Sequence, residues 1–288
     1  MASILVTGTS KGIGLTIALE LARAGHTVHA TMRNPAGAPE LADIARKEGL
    51  PLTVSAMDVD SDASVANGIA AIEQSGGPLD VLVNNAGIER RGTTEELPLA
   101  EVRAVMETNF FGAVRCIQAV MPGMRTRRRG HIINVTSISG RLASSPLGAY
   151  AASKHALEAL CEALAQEAKM FNIRVAIVEP GIIGTAMAER IGQAPGQSHY
   201  PHDRRMAGLF AAALKNPTPP LLVAQKVREI VGSDSWQLRH PVGPDAAPFM
   251  QWRAAMSDEQ WVDWGSAENA AWYAAVQRDF GLDARLPE

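Results

Sequence analysis

Residues 7–14 read TGTSKGIG and stand between an apolar run, residues 3–7, and an amphipathic segment, residues 15–23. Glycine is needed where a chain turns sharply and where its backbone must approach a phosphate without an intervening Cβ. A helix that begins at such a turn supplies unpaired N–H groups and the positive end of its dipole, which suits a pyrophosphate. The stretch therefore predicts a strand, a phosphate-binding turn and a helix, the first unit of a nucleotide-binding α/β fold.

Short apolar runs alternate with amphipathic segments from this unit onward. The runs occupy residues 3–7, 27–31, 52–56, 81–84, 131–136 and 174–179. Because they are apolar almost without interruption, they predict parallel strands that are covered on both faces. Helical patterns separate them, including long ones at residues 99–127 and 150–171. Six strand–helix repeats of this kind predict an α/β fold with a doubly wound parallel sheet, the Rossmann fold, in a single domain.

The alternation ends after residue 179. Residues 186–220 are rich in Gly, Pro, His and Arg, and they predict an irregular excursion of the kind that forms a lid over an active site. All five tryptophans lie late in the chain, namely Trp236, Trp252, Trp261, Trp264 and Trp272. We therefore expect a catalytic domain over residues 1–243, with a lid at about 186–220, and a tryptophan-rich helical extension over residues 244–288.

The extension carries two helical signals. Residues 257–260, SDEQ, resemble a capping box, and Trp272, Val276 and Phe280 suit one face of a further helix. Tryptophan at helical spacing most often serves packing. The alternative is that the extension covers the substrate cleft of its own or a neighbouring subunit.

The composition excludes several classes of protein. The 288-residue chain is 47% hydrophobic and 20% charged, which rules out intrinsic disorder, collagen and coiled coil. Its net charge of -3 gives no electrostatic footprint for nucleic acid or an anionic membrane, so neither is expected as a partner. Cys116 and Cys161 lack metal-ligand spacing, and we expect no metal site and a reducing compartment. The absence of a membrane-length apolar stretch and of a signal-peptide pattern predicts a cytoplasmic protein.

Tyr150 and Lys154 stand four residues apart in a predicted helix and so share one face of it. A phenol is a poor base at neutral pH, but a nearby cation favours the phenolate and lowers its pKa. The pair therefore suits acid–base chemistry. The ordinary alternative, a surface tyrosine beside a solvated lysine, stays open from these two residues alone.

The motifs together resemble those of the classical short-chain dehydrogenase/reductases. They are, in chain order, TGTSKGIG at 7–14, NNAG at 84–87, Asn109, Ser137, Tyr150 with Lys154, and Pro180-Gly181. The resemblance covers about residues 3–243. Longer phrases, such as residues 107–125 and 150–164, are similar to the branch that contains the 17β-hydroxysteroid and retinol dehydrogenases.

The resemblance implies a role for each of four residues. Tyr150 corresponds to the general acid/base that exchanges a proton with the substrate oxygen. Lys154 corresponds to the residue that hydrogen-bonds the nicotinamide ribose and lowers the tyrosine pKa. Ser137 corresponds to the serine that polarises the substrate oxygen, and Asn109 to the helix asparagine that holds a proton-relay water.

A dinucleotide site is implied in the same way. The glycine-rich turn corresponds to the pyrophosphate site, and Asp58-Val59, after the third strand, corresponds to the adenine contact. The turn after the fourth strand corresponds to the adenosine-ribose contact, and the loop from residue 180 to the carboxamide contact. The expected cofactor-binding residues are Gly8, Ser10, Lys11, Gly12, Ile13, Gly14, Arg33, Asp58, Val59, Asn85, Ala86, Gly87, Tyr150, Lys154, Pro180, Gly181, Ile183 and Thr185.

The cofactor itself is expected to be NADP(H) rather than NAD(H). Proteins that prefer NAD place a carboxylate at the end of the second strand, where it accepts from both ribose hydroxyls. Here that position is Met32, and Arg33 follows it. Lys11 and Arg33 would flank a 2′-phosphate, and arginine can bind it through its forked donors.

The expected function is an NADP(H)-dependent oxidoreductase that interconverts a secondary alcohol and a ketone. The lid carries several apolar residues, which suits a fairly apolar substrate, and Leu142, Leu147 and Met187 are candidate substrate contacts. A 3-oxoacyl-thioester reductase and a catalytically silent dinucleotide-sensing protein are the alternatives. Classical members commonly pair through the helices that match residues 99–127 and 150–171, so we expect a homodimer or homotetramer.

Overall fold

The computed structural model describes residues 1–194 and 196–286. In this part of the chain seven parallel strands form one sheet, in the order β3-β2-β1-β4-β5-β6-β7. The strands are β1 Ser3–Thr7, β2 Thr27–Met32, β3 Leu52–Ala56, β4 Val81–Asn84, β5 Gly130–Val135, β6 Ile173–Pro180 and β7 Arg239–Val242. The six predicted strands are confirmed to within one residue at each end. β7 is an additional edge strand that the repeat pattern did not include.

Helices cover both faces of the sheet, as the doubly wound prediction requires. They are α1 Gly12–Arg23, α2 Glu40–Glu48, α3 Asp62–Gly76, α4 Leu99–Met106, α5 Gly112–Arg127, α6 Gly148–Lys169, α7 Ala186–Ile191, α8 His202–Ala213, α9 Pro220–Gly232, α10 Ala246–Ala254, α11 Asp258–Ser266 and α12 Asn269–Phe280. The long helix expected at residues 99–127 is interrupted by a π-helical turn, Glu107–Phe111, which joins α4 to α5. No helix of the described residues is long and apolar enough to cross a membrane.

Two buried clusters hold the sheet between its helical layers. On one face α1 and α9 pack against the strands through residues such as Ile17, Leu21 and Val227. On the other face α3, α5 and α6 bury residues that include both cysteines, Cys116 and Cys161. Burial raises the pKa of the Cys116 thiol to about 12, so it packs as an inert apolar group.

The chain order reverses between β1 and β4, the two central neighbours. In open α/β sheets the crevice outside the carboxyl ends of the strands at such a switch point is where ligands bind. The fold therefore places the glycine-rich turn, which follows β1, and the turn after β4 side by side.

The lid and the extension pack together as part of the same body. A third buried cluster joins Leu147 at the start of α6, Met206 and Leu209 of α8, and Trp272 and Val276 of α12. The predicted capping box is confirmed: the Ser257 side chain accepts from the Gln260 N–H, and the Gln260 side chain accepts from the Ser257 N–H.

Four of the five tryptophans form a single aromatic cluster. Trp261 and Trp264 stack with their ring centroids 5.2 Å apart, and Trp252 meets both edge-on at 5.7 and 5.0 Å. Trp272 continues the cluster at 5.5 Å from Trp264. Trp236 lies apart and 44% exposed, with the Lys169 ammonium over its ring.

Candidate active site

A cavity of about 750 Å³ opens at the carboxyl ends of the central strands. All the cofactor-binding and substrate-contact residues expected from the sequence line it, as do Ser137, Tyr150 and Lys154. Asn109 is the exception, because it lies behind the cavity wall. Within residues 1–194 and 196–286 no group of three or more His, Cys, Asp or Glu side chains could hold a metal ion.

The glycines of the first turn form a cradle in which Gly8 and Gly14 leave no room for a side chain and Gly12 has a backbone conformation that favours glycine. A Cβ on Gly8 would lie 2.6 Å from the Ala86 Cα, and a Cβ on Gly14 would overlap the Gly8 carbonyl. Gly12 has a φ of +60°, and its missing Cβ would point toward Thr185, 3.6 Å from Cγ2. Since α1 begins at Gly12 without an acidic residue or a side-chain cap in its first turn, its N–H groups stay available. This arrangement fits a dinucleotide pyrophosphate.

Asn85 fixes this cradle to the turn after β4. Its side-chain amide donates to the carbonyls of Thr7 and Gly8 at 3.0 and 3.1 Å. The Thr7 hydroxyl in turn accepts from the backbone N–H groups of Asn85 and Ala86, both at 3.1 Å. The two turns that would flank the adenosine half of a dinucleotide are therefore held as one unit.

The adenosine end of the cavity carries the charged residues expected there. Lys11 and Arg33 are exposed and line the rim, while Met32 is buried at the end of β2. Asp60 lines the same end and accepts from the Thr108 hydroxyl at 3.0 Å. Burial raises the pKa of Asp60, and the Arg33 charge acts in the opposite direction.

The catalytic candidates converge on the opposite end of the cradle. Ser137 follows β5 and lines the cavity together with Tyr150 on the first turn of α6, and its hydroxyl lowers the pKa of the Tyr150 phenol. Lys154, one turn further along α6, is buried and donates to the Val135 carbonyl at 3.0 Å. Its ammonium lies 5.6 Å from the centre of the Tyr150 ring. The i,i+4 spacing thus places both groups on one cavity-facing side of the helix.

The tyrosine pKa shifts in the direction opposite to the one expected from the sequence. Burial raises the pKa of Tyr150 to about 12, the Ser137 hydrogen bond opposes this rise, and the Glu89 carboxylate adds to it. Burial also lowers the pKa of Lys154 to about 8. Loss of hydration therefore sets the direction of the shift, and the phenol is protonated at neutral pH.

Asn109 sits in the π-helical turn, a feature that is often found at functional sites. Its amide oxygen accepts from the Ile88 N–H at 2.8 Å, and its amide nitrogen donates to the Ile88 carbonyl and to the Ser153 hydroxyl, both at 2.9 Å. These bonds clamp the turn after β4 against α6. A direct role in a water relay stays a prediction.

Apolar side chains form the wall beyond Tyr150. The expected contacts Leu142, Leu147 and Met187 are joined by Met206, Leu209 and Phe210 of α8 and by Phe249, Trp252, Trp261, Val262, Trp264, Trp272 and Phe280 of the extension. The extension therefore both packs and covers the cavity of its own chain.

Sequence reasoning missed two buried charges in this wall, Glu89 and Arg205. Glu89 is only 5% exposed, lines the cavity and has an oxygen without a hydrogen-bond partner among the described residues. A carboxylate two residues after the turn of a central strand could have been singled out, because that edge of the sheet is where ligands bind.

A buried ionic cluster lies beneath the catalytic turn. Arg239 contacts Glu158 at 3.0 Å and Glu179 at 3.5 Å, and Glu158 accepts from the Thr136 hydroxyl at 2.6 Å. Burial and the repulsion of Glu158 raise the pKa of Glu179 from 4.5 to about 7. A carboxyl group whose pKa rises on folding stabilises the folded state at pH values below the pKa that it has in the unfolded chain. This contribution is lost as the pH rises through the pKa of the folded state.

We therefore expect Glu179 to contribute a loss of about 2 to 3 kcal/mol of stability between about pH 4.5 and pH 7, and Glu179→Gln to remove this contribution from the wild-type pH dependence. Urea unfolding at the two ends of this range measures it. The exposed Glu167→Gln is the matched control and should retain the wild-type slope. Identical slopes in wild type and Glu179→Gln would contradict the assignment.

Comparisons with known proteins agree with this geometry. The family model described as short chain dehydrogenase matches residues 2–196. The chain is 40% identical to retinol dehydrogenase 8 of Homo sapiens over 86% of its own length and 83% of the relative's. It is 35% identical to 17-beta-hydroxysteroid dehydrogenase type 1 of Mus musculus, over 79% and 67%.

A solved structure of a variant of actinorhodin polyketide ketoreductase with NADPH superimposes with a TM-score of 0.76 at 30% identity, over 85% of this chain and 97% of that one. The family model spans the cradle and the catalytic candidates. The chain is an oxidoreductase of the short-chain dehydrogenase/reductase family, in the branch that includes the hydroxysteroid and retinol dehydrogenases.

Proposed function

We propose that the protein is an NADP(H)-dependent oxidoreductase that interconverts a secondary alcohol and a ketone on a fairly apolar substrate. The observation that carries the proposal is the meeting of Ser137, Tyr150 and Lys154 beside the glycine cradle, in a cavity with an apolar wall. A catalytically silent sensor would not need all three side chains at that point.

The chain's own residues supply the proton chemistry. A nicotinamide cofactor supplies or accepts the hydride when bound. In the direction of reduction the Tyr150 phenol, which is neutral at pH 7, donates its proton to the substrate oxygen as negative charge develops there. The Ser137 hydroxyl holds the same oxygen by a hydrogen bond. Lys154, whose ammonium lies 5.6 Å from the centre of the Tyr150 ring, would bond a ribose hydroxyl and stabilise the phenolate that remains.

The preference for NADP(H) follows from the charges at the adenosine end. Met32 offers no acceptor to a ribose diol, whereas Lys11 and Arg33 offer donors to a phosphate. The ketoreductase mentioned above is itself a complex with NADPH.

We expect wild-type kcat/KM to be higher with NADPH than with NADH, and Arg33→Ala to lower the NADPH value by about tenfold or more, since a hydrogen bond to a charged group contributes about 1.5–3 kcal/mol. Absorbance assays with both cofactors measure this. Arg23→Ala, on the outside of α1, is the control. Equal values for the two cofactors would refute the preference, as would an unchanged NADPH value in Arg33→Ala.

The apolar wall supports a bulky carbonyl compound as substrate. The two relatives are named for retinol, a primary allylic alcohol, and for a 17β-hydroxysteroid, a secondary alcohol, and both of these compounds have large apolar skeletons. A panel of apolar ketones assayed for NADPH oxidation tests this, with small polar ketones for comparison. Faster turnover of small polar ketones would contradict the proposed substrate class.

We also propose that two copies pair through α4, α5 and α6. Leu99 on α4 and Phe111 beside α5 are large apolar side chains that are 59% and 45% exposed, and pairing through these helices would cover them. Phe111→Arg should therefore shift the protein toward a monomer, as measured by light scattering after gel filtration. Leu221→Arg, an exposed leucine at the start of α9, is the control. A wild-type monomer at micromolar concentration would contradict the pairing.

A further inference from the structure

Glu89 is a buried carboxyl group in the wall of the active-site cavity. It is 5% exposed, and its Oε1 has no hydrogen-bond partner within residues 1–194 and 196–286. Buried carboxylate oxygens are almost always paired, because an unpaired one loses its hydration without compensation. The position therefore calls for a donor that the described protein residues do not supply.

The nearby arginines are a possible source of that donor, and two of them are engaged elsewhere. Arg90 pairs with Glu101, and Arg91 contacts Asp203 at 2.9 Å and donates to the Gln193 carbonyl at 3.1 Å. Arg190, on the last turn of the lid helix α7, is exposed, and no ion pair joins it to Glu89 among the described residues. Its charge acts on Glu89 through space only.

The backbone fixes Glu89 close to the reacting groups. Asn109 holds both the N–H and the carbonyl of Ile88, the residue immediately before it. One residue earlier, a Cβ on Gly87 would lie 3.7 Å from the Lys154 ammonium. The Glu89 carboxylate also acts electrostatically on the Tyr150 phenol, and both side chains line one cavity.

We propose that Glu89 accepts a hydrogen bond from a hydroxyl or ammonium group of the substrate, and that the substrate is therefore a ketone, or the matching alcohol, with such a donor close to the reacting carbon. The apolar wall would bind the rest of the molecule. This inference rests on the proposed function, because it assumes that a ketone or alcohol occupies the cavity beside Tyr150.

Three matched ketones test the inference: propiophenone, α-hydroxyacetophenone and α-aminoacetophenone. They share a phenyl ketone and differ in carrying a methyl, a hydroxyl or an ammonium group beside the carbonyl. For one or both donor-bearing ketones, wild type should show a kcat/KM at least tenfold higher than for propiophenone, mainly because KM is lower. Because the substituents also change the reactivity of the carbonyl, the comparison between wild type and variants at the same three ketones is decisive.

Glu89→Met removes the hydrogen-bond acceptor and keeps a similar side-chain length. It should lower the selectivity, which is the ratio of kcat/KM for a donor-bearing ketone to kcat/KM for propiophenone, by at least tenfold. Glu89→Gln identifies the donor: a preference for the ammonium ketone should be lost, whereas a preference for the hydroxy ketone should survive in part. Glu189→Gln, an exposed lid residue outside the cavity, is the control and should retain the wild-type selectivity. NADPH titration and melting temperature show whether each variant is folded.

Selectivity that persists in a folded Glu89→Met would overturn the inference, as would a wild type that turns over all three ketones equally well. If Glu89→Met does not fold, two other variants decide. The inference is overturned if Glu89→Gln keeps the wild-type selectivity for the amino ketone and Glu89→Ala keeps the wild-type selectivity for the hydroxy ketone. NADPH binding without oxidation by any of the three ketones or the wider panel would instead refute the proposed function, and this inference with it.

Discussion

Replacing Tyr150 with Phe lowers kcat for ketone reduction by about a thousandfold, within the range of about 10²–10⁴ that a positioned general acid contributes. The substitution removes one hydroxyl from a half-buried ring and leaves the Lys154 ammonium and the Ser137 hydroxyl in place. KM and the affinity for NADPH should change little, because the lost proton transfer belongs to the chemical step. Steady-state kinetics and a fluorescence titration with NADPH measure the two effects separately.

Tyr200→Phe is the matched control for this substitution. Tyr200 is a lid tyrosine whose phenol donates to Glu95 and which does not line the cavity. Its loss should leave kcat within about twofold of wild type, because surface substitutions have small effects. Equal rates for wild type and Tyr150→Phe would remove Tyr150 from the mechanism.

Ending the chain at Gly243 lowers kcat/KM for bulky apolar ketones by about a hundredfold or more. A hundredfold loss corresponds to about 2.7 kcal/mol of binding free energy. Several aromatic wall side chains, each contributing about 1.5–3 kcal/mol on burial, together exceed that value. The deletion removes most of the aromatic side chains that line the cavity beyond Tyr150. It also uncovers Leu147 and Leu209, so the melting temperature should drop. Kinetics with bulky and small ketones and thermal unfolding measure these effects.

Trp252→Ala tests the same wall in the full-length chain. The Trp252 ring touches Trp261, Trp264 and Phe280, so its loss should loosen the whole aromatic cluster. Trp236→Ala removes an exposed tryptophan outside the cavity and should have no effect on kcat/KM. Unchanged kinetics with bulky ketones in both the truncated chain and Trp252→Ala would contradict a role for the extension in substrate binding.

The fold was predictable from the sequence because apolar runs and glycines report local structure directly. The strand Gly130–Val135 is apolar throughout and buried throughout, so periodicity alone located it. The strand Arg239–Val242 was missed because an edge strand can be polar, and its sequence RHPV is half exposed. The π-helical turn at Asn109 was missed because it keeps the helical pattern of the residues around it.

The sequence predicted which side chains would line one cavity, but not the electrostatics of that cavity. Motif spacing identified Tyr150 and Lys154, yet the direction of the tyrosine pKa depends on burial, which spacing does not report. Glu89 was missed because the sequence around a single charged residue does not indicate whether its side chain is buried. The extension was located by its tryptophans, but only the packing of three helices shows that they face the cavity.

Transfer of deuterium from NADPH labelled at C4 to a ketone tests the central claim most directly. In the proposed mechanism the cradle and Tyr150 would hold cofactor and substrate in one orientation. One of the two C4-labelled forms should then yield an alcohol with one deuterium on the carbinol carbon, as read by mass spectrometry. Tyr150→Phe should form that product at about a thousandth of the rate. Failure of every ketone in the panel to take up deuterium from either form, with NADPH bound, would contradict the account.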